Sequence, residues 1–135
     1  MPQSLRVLGA AGLLTIAQCL PSHAADRAME CKLHNVRSGE NSFVRIQWND
    51  ERLTHIEGND TKTYDNRVER GSRYYFQLNG LRAEWGFVDV DTSTVIYKYT
   101  LGLKDGEIQF FFKDYANLNN REPQLLSEGK CEASP

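Results

Sequence analysis

The feature that most constrains the fold is a run of alternating apolar residues over 72–114, interrupted by short turn signals. Alternation with a period of two predicts strands that bury one face. Asn79-Gly80 and Asp105-Gly106 are preferred two-residue hairpin turns of type I′. We therefore predict a four-stranded antiparallel meander over 72–78, 81–90, 94–103 and 107–114.

The three hairpins of this meander constrain one another, because a slip of one residue moves every side chain of a strand to the other face. A three-residue connection at 91–93 keeps Trp85 opposite Tyr99 and all three hairpins facing the same way. A two-residue connection would turn one hairpin inside out. The predicted inward pairs include Leu78–Leu81, Phe76–Ala83, Tyr74–Trp85, Phe87–Tyr97, Ala83–Leu101, Leu103–Ile108, Leu101–Phe110 and Tyr99–Phe112.

The rest of the chain also reads as β-structure. Strands are predicted at 30–36, 42–48 and 52–57, with a short one around Tyr64 and a last one at 125–131. Val44, Ile46, Leu53 and His55 would share one face. About seven to eight antiparallel strands predict an all-β fold, a small up-and-down barrel of lipocalin-like size, because closure removes exposed sheet edges. The alternative is a β-sandwich.

The N-terminus has the pattern of a secretory leader. Residues 7–20 are apolar, too short a run to cross a bilayer easily. Ser22-His23-Ala24 then supplies the small residues at which a signal peptidase cuts. We predict a removed signal peptide over 1–24 and a single β domain over 25–135, placing the protein in the periplasm or outside the cell.

The three cysteines have different expected roles. Cys19 lies where a lipoprotein would be acylated, but Gln18 before it is a poor match, so a soluble exported protein is favoured over a lipid-anchored one. Cys31 and Cys131 lie near the two ends of the mature chain. In an oxidising compartment they are expected to form a disulfide that holds the first and last strands together.

The charge and motif content argue against several functions. A net charge of −2 at pH 7 with mixed signs is unlike the basic footprint of a nucleic-acid binder. The chain has no nucleophile elbow, phosphate loop, dinucleotide fingerprint or metal-ligand spacing. We therefore expect no cofactor, no metal site and no enzymatic activity. The enzymatic alternative is a site assembled from loops around His55 and Asp89.

The inner face of the meander is rich in aromatic residues and allows two interpretations. The rings either fill the barrel as a core or line a cavity for a small apolar ligand. Under the second interpretation the protein is a carrier. The candidate ligand-binding residues are Trp85, Tyr97, Tyr99 and Phe110.

The outer face of the meander also carries apolar groups. Val88 is predicted opposite Ile96, Phe111 opposite Thr100, and Tyr75 lies one hairpin away. Such a patch could bind a protein partner, or could be covered by the polar segment 58–71. From it we predict an exported, non-enzymatic β-barrel that binds a protein in the bacterial envelope, in an inhibitor or immunity-type role.

A short stretch gives that hypothesis a concrete form. Gly71-Ser72-Arg73-Tyr74, followed by the strand with Ala83-Glu84-Trp85, resembles the periplasmic C-type lysozyme inhibitors, which are small exported β-barrels with a terminal disulfide. The resemblance implies that the turn before Tyr74 enters the lysozyme cleft, with Ser72 and Arg73 among the contacts. Arg70 stands where that family has its motif serine, and the family's Trp-x-x-Gly segment is not matched in order.

Overall fold

The protein is a ten-stranded antiparallel sheet curled into a nearly closed barrel. The computed structural model describes residues 26–113 and 122–134, so the predicted leader and Cys19 lie outside the described residues. The strands are β1 (Arg27–Asn35), β2 (Asn41–Trp48), β3 (Leu53–Glu57), β4 (Asp60–Tyr64), β5 (Arg67–Glu69), β6 (Ser72–Asn79), β7 (Arg82–Asp89), β8 (Thr94–Gly102), β9 (Glu107–Phe112) and β10 (Gln124–Ala133).

The topology confirms the up-and-down barrel and not the β-sandwich. Neighbouring strands pair in the order β4-β3-β2-β1-β10-β9-β8-β7-β6-β5, so only β4 and β5 are consecutive in the chain but unpaired. The predicted count of seven to eight strands is too low, because the segment 58–71 supplies both β4 and β5. That segment therefore extends the two sheet edges and does not cover the outer face of the meander.

The first and last strands are joined as predicted. Cys31 and Cys131 lie directly opposite each other in β1 and β10 and form a disulfide, with their Cα atoms 3.9 Å apart. Both are buried in the core. Closing a loop of about 100 residues stabilises the fold by roughly 4.7 kcal/mol in the chain-entropy account.

The side chain of Asn66 supplies hydrogen bonds across the seam between β4 and β6. Asn66, in the link between β4 and β5, adopts a left-handed φ of 67°. Its backbone N–H donates to the Tyr74 carbonyl at 2.8 Å. Its side-chain amide accepts from the Phe76 N–H at 3.2 Å and donates to the Phe76 carbonyl at 3.0 Å. The amide thus takes the place of a paired strand residue and nearly closes the barrel.

The middle hairpin has the predicted register and the two outer hairpins are displaced by two residues. Tyr99 lies opposite Trp85, as predicted, and also opposite Phe110 instead of Phe112. Phe76 lies opposite Trp85 instead of Ala83. A displacement of two keeps every side chain on its face. The observed register also aligns large rings across strands, which stabilises a sheet.

The turn chemistry explains the two displacements. Gly80-Leu81, not Asn79-Gly80, forms the first loop, and only Gly80 has positive φ, as a type II′ turn requires. Asp105-Gly106 is not a two-residue turn. The Gly106 N–H instead donates to the Gly102 carbonyl at 2.9 Å and closes a four-residue loop, and the Asp105 carboxylate accepts from the Glu107 N–H at 2.9 Å.

An irregularity in β8 changes the predicted outer pairs. The register shifts between Val95 and Tyr97, which leaves Ile96 as the extra residue. Val88 therefore lies opposite Val95 and not Ile96. Phe111 lies opposite Lys98 and not Thr100, because its hairpin is displaced by two residues.

The barrel interior is packed towards the end that carries the turns after β2, β6 and β8, which we call the filled end. An open depression of about 340 Å³ lies at the rim of that end, lined by residues that include Trp48, Leu78 and Leu103. The largest side chains with less than 2% exposure are Trp85, Leu33, Ile46, Leu53, Leu101 and Ile108. Val44, Ile46, Leu53 and His55 share the buried face as predicted. We call the opposite end, with the turns at 58–59, 70–71 and 90–93, the mouth.

Candidate functional site

An open cavity of about 360 Å³ occupies the mouth of the barrel. Its size falls within the range of about 300–1,000 Å³ that is typical of small-molecule sites. Its wall is aromatic on one side and polar on the other. The lining residues are His55, Glu57, Asp60, Lys62, Tyr64, Tyr97, Tyr99, Phe110 and Phe112.

The aromatic wall consists of alternate residues of β8 and β9. Tyr99 faces Phe110 across the two strands, and Tyr97 faces Phe112. The Tyr99 ring stacks on Phe110 at a centroid distance of 4.5 Å and on Trp85 at 5.3 Å. This continuous stack anchors the wall in the filled end of the barrel, so its rings are held in place before any ligand arrives.

The polar wall comes from the β3–β4 hairpin. Period-two alternation puts His55 and Glu57 on the same inward face as Leu53, and their cross-strand partners are Lys62 and Asp60. Gly58, with a φ of 60°, starts the two-residue turn between Glu57 and Asp60. Both carboxylates are thereby held at the rim of the cavity.

His55 joins the cavity to the core. The Trp85 indole N–H donates to His55 Nδ1 at 3.1 Å, and because an indole nitrogen is only a donor, Nδ1 must be unprotonated. The ring proton is then on Nε2, which lies 3.4 Å from Glu57 Oε1. Desolvation by burial lowers the pKa of His55, and the neighbouring Glu57 partly offsets that effect. His55 is therefore a neutral hydrogen-bond donor at neutral pH.

Tyrosine hydroxyls supply further polar groups. Tyr64 and Tyr97 share a hydrogen bond of 2.9 Å between their hydroxyl oxygens. Burial raises the pKa of Tyr64 and of Tyr97, and it also raises the pKa of Tyr99, so all three remain protonated near neutral pH. The Tyr99 hydroxyl has no hydrogen-bond partner among the described residues and can bond to a ligand.

The residues predicted from sequence to bind a ligand converge in this region. Tyr97, Tyr99 and Phe110 line the cavity. Trp85 is fully buried beneath it and acts on the site through its bond to His55 and its stack on Tyr99. Sequence reasoning thus found the aromatic wall.

Sequence reasoning missed most of the polar wall, namely Glu57, Asp60, Lys62 and Tyr64. The available signal was the alternation that continues from Leu53 through His55 to Glu57. A Gly at the start of a two-residue turn would then have placed Asp60 opposite Glu57. The polar composition of 58–71 obscured this hairpin.

The residues predicted to bind a protein partner lie apart from the cavity. Tyr75 is buried at 7% exposure, and its hydroxyl donates to Glu84 Oε2 at 2.6 Å. Val88, Ile96 and Phe111 are half-buried on the outer face. The Lys98 ammonium lies 5.3 Å from the centroid of the Phe111 ring.

The turn that resembles the lysozyme inhibitors lies at the mouth end. Arg70 and Gly71 have φ values of 53° and 77° and form the β5–β6 turn, after which Ser72 and Arg73 begin β6. The Gly71 carbonyl accepts from the Val90 N–H at 2.9 Å, which ties this turn to the one between β7 and β8. Ser72 is half-buried and Arg73 is exposed.

The described residues contain neither a cluster of metal ligands nor a membrane-spanning helix. No group of three or more His, Cys, Asp or Glu side chains within 26–113 and 122–134 could hold a metal ion. Over the same residues, no helix is long and apolar enough to cross a membrane.

Comparisons of the chain with models of protein families, with curated proteins and with solved structures found no match, so the functional assignment rests on the geometry.

Proposed function

We propose that this protein is an exported, non-enzymatic binding protein that takes a small ring-bearing ligand into the mouth of its barrel. The observation that best supports this proposal is the cavity of about 360 Å³ between the Tyr99–Phe110 stack and the polar β3–β4 hairpin. An apolar body and a few convergent polar groups are the usual composition of such sites. The disulfide supports export to an oxidising compartment.

The two walls of the cavity indicate a ligand that has a polar group, whereas the sequence alone led us to expect an apolar ligand. Both faces of the Tyr99 ring are covered, by Trp85 and Phe110. A planar ring would therefore pack against Phe110 and the exposed Phe112, and a polar group would meet Glu57 or the Tyr99 hydroxyl. A purely apolar ligand would leave that polar wall without partners, which costs free energy. The described geometry therefore favours a ligand with one apolar ring and one polar group.

The neutral state of His55 supports a binding role over catalysis. Its Nδ1 accepts from the indole of Trp85 and its Nε2 carries the proton, so neither nitrogen offers a lone pair to a bound molecule. Asp89, the other residue of the enzymatic alternative, accepts a hydrogen bond from the Asp91 N–H in its own turn at 3.0 Å.

A second depression, of about 490 Å³, lies on the outer face around Phe43. Its charged side chains include partners in ion pairs, Arg45 with Glu30 at 3.2 Å and Lys130 with Glu107 at 3.5 Å. Among the described residues that line it, Phe43 is the one aromatic side chain, so this depression lacks the aromatic wall of the mouth. The mouth is therefore the favoured site.

The test is a titration of the folded protein with para-ethylphenol, a neutral ring probe, followed by the chemical shifts of backbone amides. We expect saturable binding at about millimolar concentration, with shifts around Tyr99 and Phe110. Phe112→Ala should weaken binding by about fivefold, because Phe112 lines the cavity. Phe43→Ala is the matched control, an exposed phenylalanine of the outer face. Binding that is lost in Phe43→Ala but kept in Phe112→Ala would move the site to the outer depression.

Binding of a protein partner is the second candidate function. It is favoured by the half-buried Val88, Ile96 and Phe111, which no described segment covers. Lysozyme is the first partner to try, given the turn at Arg70-Gly71. Phe111→Ser should reduce capture of the partner at least about fivefold and leave the melting temperature nearly unchanged. A large loss of stability in that variant would show that Phe111 belongs to the packed structure and not to a binding patch.

A further inference from the structure

The charges around the mouth cavity are unbalanced. Glu57 and Asp60 bring two carboxylates, Lys62 brings one ammonium, and His55 is neutral because Trp85 holds its Nδ1. The described lining thus carries an excess of one negative charge. An exposed rim screens such charges, but the aromatic wall opposite them lowers the local polarity.

The single cation of the lining is already engaged. The Lys62 ammonium lies 5.5 Å from the centroid of the Tyr74 ring, a residue that does not line the cavity. Among the described residues, Glu57 makes one side-chain hydrogen bond, with the neutral His55 at 3.4 Å. The Asp60 carboxylate makes no ion pair or hydrogen bond with any described residue. The two carboxylates therefore retain most of their capacity to bind a cation.

The opposite wall also suits a cation. The faces of tyrosine and phenylalanine rings attract ammonium groups within about 6 Å, and the contact of Lys62 with Tyr74 shows this geometry beside the cavity. Trp85 and Phe110 cover both faces of the Tyr99 ring, so the available ring is that of Phe112, which lines the cavity and is 41% exposed. A cation between this ring and the two carboxylates would be attracted from both sides.

We propose that the mouth cavity selects small organic cations, of the class in which an aromatic ring carries a primary amine. The ring packs against Phe110 and Phe112, and the ammonium group lies at the rim beside Glu57 and Asp60. This selectivity rests on the proposed function, since it requires that the cavity bind a ring-bearing ligand at all.

The test compares three probes that share one phenol ring: tyramine, which is cationic, para-ethylphenol, which is neutral, and para-hydroxyphenylpropionate, which is anionic. Their dissociation constants are measured at neutral pH and low salt with the full mature protein. We expect tyramine to bind about five- to tenfold more tightly than para-ethylphenol, with the anion weakest. Raising the salt concentration should reduce the preference.

Two substitutions test whether the carboxylates at the rim cause the preference for tyramine. Glu57→Gln and Asp60→Asn should each reduce the ratio of the tyramine affinity to the para-ethylphenol affinity by about two- to fivefold. Glu51→Gln, which removes an exposed acid from the turn at the filled end, is the control and should leave the preference intact. Circular dichroism confirms that each variant is folded.

The outcomes separate the two proposals. If para-ethylphenol and tyramine bind equally well, or the anion binds most tightly, the cation selectivity is overturned while the ring-binding site stands. If no probe binds at about 10 mM, a concentration well above the expected constant, the proposed function fails and the selectivity fails with it.

Discussion

The two ends of the barrel interior are built from the same alternating strands, yet one is packed around Trp85 beneath a depression of about 340 Å³ and the other opens into the mouth cavity with its polar wall. At the filled end, aliphatic side chains such as Leu53 and Leu101 close around Trp85 and are fully buried. At the mouth, the same strands place Glu57 and Tyr99 inward around open space. The residue types at the inward positions, and not the backbone pattern, decide where the interior is packed.

The boundary between the two ends is a single layer of side chains. His55 lies between them. Its ring centroid is 4.7 Å from that of Tyr99, and its Nδ1 accepts a hydrogen bond from the Trp85 indole N–H. It satisfies the indole N–H, which would otherwise be an unpaired buried donor. Because the buried indole N–H of Trp85 has this partner, the core can end at His55 with an open site above it.

The largest expected effect on stability is that of truncating a buried side chain at the filled end. Leu101→Ala should lower the free energy of unfolding by about 2–5 kcal/mol, since it deletes fully buried methyl groups and leaves a cavity. Phe112→Ala at the mouth should cost less than about 1 kcal/mol, because the ring is 41% exposed. Urea denaturation measures both. Equal losses in the two variants would erase the distinction between core and cavity.

A smaller effect concerns the boundary layer and depends on pH. Burial lowers the pKa of His55 below the ordinary value of 6.5, so the unfolded chain takes up a proton before the folded chain does. Its contribution to stability is therefore complete above pH 6.5 and is lost as the pH falls from there through the folded-state pKa. His55→Asn, whose side-chain oxygen can still accept from Trp85, should show a shallower fall in stability between about pH 7 and pH 5.

The control for that measurement is His34→Asn, since His34 is the other described histidine and is exposed on β1. The expected result is a pH profile close to that of the unmodified protein. An unchanged profile in His55→Asn, or a flattened one in His34→Asn, would show that the pH dependence does not originate at the boundary layer. Urea titrations at several pH values give the slopes to be compared.

Much of the fold could be predicted because local rules and packing agree. The alternation over 72–114 identified the inward face, and the pairing of Trp85 with Tyr99 confirms it. The predicted positions of Cys31 and Cys131 anticipated the joined terminal strands. The registers at Asn79-Gly80 and Asp105-Gly106 were wrong by two residues, since the turn rules considered one hairpin at a time. Stacking of rings across three strands outweighed those local preferences.

The sequence by itself determined which faces are apolar, that the chain is all β-structure, and that its ends can be linked by a disulfide. Only the tertiary structure decided where the interior is packed and where it opens into the mouth cavity. The physical reason is that alternation fixes the face of each residue but not its height in the barrel. Whether Glu57, Asp60 and Tyr99 meet around one cavity depends on how ten strands are staggered when the sheet closes.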